Sequence, residues 1–372
     1  MTPNTDDLAA IARHSVDLIQ RLQDPSGAYP ASPTFSAYRG FSWFRDGAFI
    51  ADAMSAAGAA ESAEAFFDWC TRMLVQRRDH VERIVAAARA GTPVPDAEML
   101  DTRFTLDGRA GDADWWDFQL DGYGTWLWAA AEHARRTGRD VERWREGIDL
   151  SVDYLVSSWQ RPCYDWWEEH SEHVHVSTLG CIAAGLDAVS PTLDDARAAA
   201  ARETVAAIRS RIAADGTADG RLTKWLGDDG LDASLLALVS PMRFEAATGP
   251  VGAATVAAVA AELEVDGGVH RYADDTYFGG GQWPLLSCML GLARADAGDR
   301  DGAMRSLRWA ISTAAASGDL PEQVDWHLLH PQHEQEWIER WGPSAVPLLW
   351  SHAMVLRLAV ELGVAGVEER AV

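Results

Sequence analysis

Two adjacent glutamates, Glu168 and Glu169, follow two tryptophans in the stretch YDWWEEH at residues 164 to 170. A carboxyl group set against indole rings resists ionisation, because apolar surroundings disfavour the charged form and raise its pKa. Such a group can stay protonated near neutral pH and act as a general acid. The same rings can stack on the C–H faces of a sugar, whose hydroxyls ask for bidentate partners such as Asp and Arg. That mixture recurs in YRGFSWFRDGAFIAD (38–52), DADWWDFQLDGYG (112–124), CYDWWEEHSEH (163–173) and HRYADDTYFGGGQWP (270–284), and an acidic loop, SGDLPEQVD (317–325), comes later. Cleaving a glycosidic bond takes two carboxyl groups, one to protonate the leaving oxygen and one to activate water or attack directly. By loop position, Glu322 in LPEQ is the best-placed partner for the WWEE pair. Taken singly, each feature has a plainer reading. Adjacent glutamates are usually solvated surface, and Asp46 could simply face the positive end of a helix dipole.

These loops must be positioned by helices. Apolar residues recur at spacings of three and four, with glycine stops at Gly58, Gly138, Gly298 and Gly363, and strand-like alternation is almost absent. The pattern predicts about twelve helices: 6–23, 47–57, 60–90, 121–137, 140–159, 174–188, 192–214, 231–239, 250–264, 282–297, 299–315 and 345–362. Connections alternate between tight ones and long ones, the latter at 24–46, 101–120, 160–173, 265–281 and 316–344. Long loops in a compact fold are usually functional. Hairpins closed into a ring would gather all of them at one mouth, with about six helices inside and six outside. A helical solenoid is the structural alternative, but the hairpins share no consensus. Residues 1–372 are expected to form a single catalytic domain.

Composition excludes several classes. The formal net charge of -24 repels phosphate backbones and anionic membranes, so neither nucleic acid nor membrane is an expected partner. No apolar run is long enough for a span. Four scattered cysteines form no CxxC pair and point to free thiols in a reducing compartment. With no secretory leader pattern, a cytoplasmic location is expected. His327, His330 and His333, like His170, His173 and His175, lack a zinc-site spacing and are read as loop structure. No dinucleotide, P-loop or GxSxG motif is present, so neither metal nor cofactor is expected. The 17 tryptophans are unusual. Those in helical patterns, Trp350 among them, suit core packing, whereas Trp43, Trp115, Trp116, Trp166, Trp167 and Trp283 fall in or beside loops.

In sequence order, WFRD, WWDFQLDGYG, YDWWEE, RYADDTYFGGGQWPL and LPEQ resemble the motifs of glycoside hydrolase family 15, the glucoamylase-like family. The resemblance implies an all-α (α/α)6 barrel and exo-acting, inverting hydrolysis of α-glucosidic bonds. It implies Glu168 as general acid and Glu322 as general base. Trp43, Arg45, Asp46, Trp115, Trp167, Glu169 and Arg271 would bind substrate. A helical pattern beginning within the first residues, with no starch-binding appendage, directs the expectation to short oligosaccharides. An α-1,6 substrate such as isomaltose is preferred, though no residue carries that preference. Trehalose, a sugar phosphorylase and a non-catalytic sugar-binding protein are the alternatives; oligomeric state is not legible.

Overall fold

The apolar periodicity becomes helices throughout the computed structural model, which describes residues 5–109 and 118–365. The first seven are α1 Thr5–Leu22, α2 Phe44–Ala56, α3 Ala60–Val75, α4 Arg78–Arg89, α5 Asp121–Thr137, α6 Arg145–Ser158 and α7 Val176–Val189. The rest are α8 Asp195–Asp215, α9 Leu236–Val239, α10 Pro250–Glu262, α11 Pro284–Asp296, α12 Arg300–Ser312, α13 Glu334–Trp341 and α14 Leu349–Glu361.

Six of them form a closed ring. Helix α2 packs on α5, α5 on α7, α7 on α9, α9 on α11, α11 on α14, and α14 back on α2. These helices are apolar or small nearly all round, as in VSTLGCIAAGLDAV of α7, and are buried along most of their length. Closeness has a local cause at α5 and α7. A Cβ on Gly185 would lie 2.2 Å from the Gly124 carbonyl oxygen, and one on Gly124 would lie 2.4 Å from that of Cys181. The outer layer is α1, α3, α6, α8, α10 and α12, each packed on the ring. The molecule is an all-α (α/α)6 barrel.

Among the described residues, three short antiparallel pairs decorate it. They are β1 Phe41–Trp43 with β2 Arg103–Thr105, β3 Thr217–Ala218 with β4 Arg221–Leu222, and β5 Glu264–Val265 with β6 Gly268–Val269. The first, with Trp43 opposite Arg103, fixes Trp43 immediately before α2.

Several helix boundaries depart from expectation. The span 60–90 breaks into α3 and α4, because Arg77 leaves helical geometry and its guanidinium donates to the Met73 carbonyl at 3.0 Å and the Gly108 carbonyl at 2.8 Å. The Met73 carbonyl in the last turn of α3 thereby gains a side-chain donor, and the same guanidinium ties the break to the loop at Gly108. The span 231–239 shortens to a 3-10 turn, Ala233–Leu235, followed by the single turn of α9. The long loop 316–344 contains α13, preceded by a 3-10 turn, Pro331–His333. Pro331 sits where a helix start tolerates a residue without an N–H, so it opens this segment instead of interrupting it.

Candidate active site

The loops at 24–46, 160–173, 265–281 and 316–344, with the starts of α2, α11 and α14, surround a cavity of about 160 Å³. Among the residues singled out from the sequence, Trp43, Arg45, Asp46, Trp167, Glu168, Glu169, Arg271 and Glu322 all line it. Trp115 lies outside the described residues.

The WWEE loop is built around Asp165. Its Oδ1 accepts the backbone N–H groups of Trp167 and Glu169, both at 2.9 Å, while the Glu168 N–H donates to the Asp165 carbonyl at 3.0 Å. Closing so tight a turn puts Glu168 at φ 64° and His170 at φ 54°, left-handed values that non-glycine residues rarely adopt. The strain aims the Glu168 carboxylate inward. Trp43 Nε1 donates to its Oε1 at 2.6 Å, and Arg45 Nη2 lies 3.9 Å from the same oxygen. Lys224, the sole lysine, is buried 3.2 Å from Asp232 and 3.8 Å from Asp165, and Asp232 accepts the Trp167 indole N–H at 3.0 Å. Burial nevertheless pushes the Asp165 carboxyl up to about 7.

Glu322 is only 2% exposed. Tyr38 Oη donates to its Oε1 at 2.8 Å, and Ser344 Oγ donates to its Oε2 at 3.3 Å. Tyr277 Oη lies 3.1 Å from Tyr38 Oη and 3.5 Å from Glu322 Oε2. Burial pushes this carboxyl up to about 7, outweighing the donors and the Arg271 charge that oppose the shift. The loop itself is braced by His352. Its Nε2 accepts the Leu320 N–H at 2.8 Å, so the ring proton sits on Nδ1 and is donated to Ser15 Oγ at 2.9 Å. Burial lowers this imidazole to about 3, which keeps it neutral.

Two guanidinium groups organise the walls. Arg45 Nη1 donates to Gln119 Oε1 at 2.7 Å and Asp121 Oδ2 at 3.2 Å, and its Nε lies 3.3 Å from Asp46 Oδ2. Burial raises Asp46 to about 6 against the pull of Arg45. Arg271 forms a fork to Asp275, Nε donating at 2.7 Å, and its Nη2 lies 3.4 Å from Glu169 Oε1. Tyr272 Oη donates to the other Glu169 oxygen. An aromatic collar runs Trp166, Trp167, Trp283, Tyr277, Trp337, with successive ring centroids 6.3, 5.5, 6.4 and 4.9 Å apart.

Sequence reasoning missed Tyr38, Tyr277 and Ser344 around Glu322, and Trp337 and Trp341 at the rim. The only signal for the last two was the i, i+4 pair in WIERW. Trp350 was assigned to core packing. It is buried, yet it also lines the cavity, with the Arg45 guanidinium 5.7 Å from its ring. The histidine runs do not line the cavity. His173 stacks on Trp225 at 4.1 Å, His327 pairs with Asp266 at 3.1 Å, and His333 with Glu336 at 2.8 Å. Among the described residues no helix is long and apolar enough to cross a membrane.

Comparison with known proteins gives the site its context. The sequence pattern of Glycosyl hydrolases family 15 matches residues 6–323. An isomaltose glucohydrolase from Kribbella flavida is 55% identical over 359 residues, covering 96% of this chain and 93% of that protein. A glycosidase solved in complex with glucose is 53% identical, with a TM-score of 0.95 over 97% of this chain and 98% of the other. A bacterial glucoamylase complexed with acarbose shares the fold at 18% identity, with a TM-score of 0.76 over 98% of this chain and 57% of the other. The chain belongs to glycosyl hydrolases family 15 and is a glycoside hydrolase.

Proposed function

We propose that this enzyme is an exo-acting, inverting α-glucosidase that releases β-glucose from the non-reducing end of short α-gluco-oligosaccharides, isomaltose first among them. The observation that carries this reading is a pair of carboxyl groups, Glu168 and Glu322, lining one small cavity on different loops and held by different partners. The choice of isomaltose is supported by the relative of that specificity, which matches nearly the whole chain.

Glu322 is the general base. A carboxyl pushed to about 7 by burial combines an ionised fraction near neutral pH with real basicity toward water. Tyr38 and Ser344 donate to its oxygens and fix its orientation. Glu168 is the general acid. Once it has given its proton to the leaving oxygen, the carboxylate that remains is met by the Trp43 N–H and the Arg45 charge. Arg45 and Asp46 line the cavity as a pair, Nε to Oδ2 at 3.3 Å, which suits them to the hydroxyls of the terminal glucose. Glu169, next to the acid in sequence, takes the following sugar, and Arg271, 3.4 Å from Glu169, helps hold the substrate.

The test is a glucose-release assay in phosphate-free buffer over isomaltose, maltose, trehalose and longer members of each series. Glu168→Gln and Glu322→Gln are each expected to lose roughly a hundred- to ten-thousand-fold in kcat. Inversion needs carboxyls roughly 6.5–9.5 Å apart, with a water between. Proton NMR in the first minutes should therefore show β-glucose; α-glucose appearing first would make Glu322 a nucleophile or the wrong residue.

A further inference from the structure

Helix α13 belongs to neither layer of the barrel. It packs chiefly on the turn Tyr277–Gly279, and the segment leading into it is hydrogen-bonded to the same turn, His330 N–H to the Gly279 carbonyl at 2.8 Å. Its two tryptophans, Trp337 and Trp341, line the cavity and are only partly buried, whereas Trp43, Arg45 and Trp350 are buried at its inner end. Trp337 meets Tyr277 edge-on at 4.9 Å and stacks on Phe278 at 6.2 Å, completing the collar that starts at the WWEE loop. Its Nε1–H is buried with no hydrogen-bond partner among the described residues. An indole with a partly open ring and an unused donor, at the mouth of a sugar-sized cavity, is a platform for one more ring with hydroxyls.

We propose that α13 is the leaving-group wall of the cavity, and that Trp337 and Trp341 determine how many sugar units are accommodated beyond the bond that is cut. This rests on the α-glucosidase reading above. One sugar ring packs against the wall and accepts the Trp337 N–H; a longer chain runs into α13. Discrimination between short and long substrates therefore lies in a helix that contributes nothing to the acid–base chemistry.

The experiment measures kcat and KM for a disaccharide and a tetrasaccharide of the same linkage in wild type, Trp337→Phe and the Trp337→Ala/Trp341→Ala double variant, with circular dichroism melts on each. Wild type is expected to favour the disaccharide. The double variant should lower the ratio of the two kcat/KM values by roughly tenfold, the scale of a lost pocket contact, and mainly through KM. Trp337→Phe keeps a ring and removes the donor, so it should raise the disaccharide KM several-fold with kcat within about twofold. It carries the test alone if the double variant fails to fold. An unchanged ratio together with an unchanged disaccharide KM in Trp337→Phe overturns the proposal, as does an equal fall in kcat on both substrates. If wild type releases no glucose from any α-glucoside, the functional reading falls and this inference with it.

Discussion

Glu322, the proposed base, shows how burial changes the chemistry of an ordinary side chain. Its carboxyl is pushed from 4.5 to about 7, so between those values the folded protein holds a proton that the unfolded chain has lost. Stability contributed at that position is therefore greatest at low pH and declines as pH rises through the window. Activity should run the other way, since the proposed base must be ionised: kcat/KM is expected to fall as pH drops below about 7. Glu322→Gln removes the titration, so the variant's stability relative to wild type should rise from pH 5 to pH 8, by roughly 1–3 kcal/mol in denaturant unfolding. A constant difference across that range would place the raised pKa elsewhere. The two glutamates were legible because each sits in a short motif with aromatic or loop neighbours. Tyr38 was not, since it meets Glu322 across 284 positions and nothing in local spacing announces such a contact.

At the scale of elements, most helices of both layers were legible from apolar periodicity, and their ends were less so. The span of α5 was expected residue for residue, because Asp121 opens it and Gly138, at φ 70°, closes it. Helix α13 was hidden because it is only eight residues long and its apolar residues, Trp337, Ile338 and Trp341, are only partly buried, so apolar periodicity had little to register. The break between α3 and α4 was equally silent, depending on Arg77, whose guanidinium bridges the Met73 carbonyl and the Gly108 carbonyl 31 positions on. The contact of α5 with α7 makes its own prediction. Gly185→Ala would place a methyl 2.2 Å from the Gly124 carbonyl oxygen, a backbone atom that cannot rotate away. The helices must part, and unfolding in urea should show a loss of about 1–3 kcal/mol. A midpoint equal to wild type would mean the two helices are not pressed together as described.

For the whole molecule, the ring is closed by two helices from opposite ends of the chain. Helix α14 packs on α2, Trp350 stacks on Phe49 at 5.3 Å, and the Leu349 N–H donates to the Ala31 carbonyl at 3.0 Å. Arg45 therefore reaches its final surroundings only when the last inner helix docks. During synthesis this makes catalysis the final event. Synthesis from the amino terminus produces the Glu168 loop, then the Glu322 loop, then α13, and every one of these precedes the helix that closes the cavity. Nascent chains arrested before residue 345 should release no glucose from isomaltose, although both carboxyl groups are already present. Activity should appear only when the arrest point leaves α14 clear of the exit tunnel, so enzyme function itself reports in time on completion of the barrel.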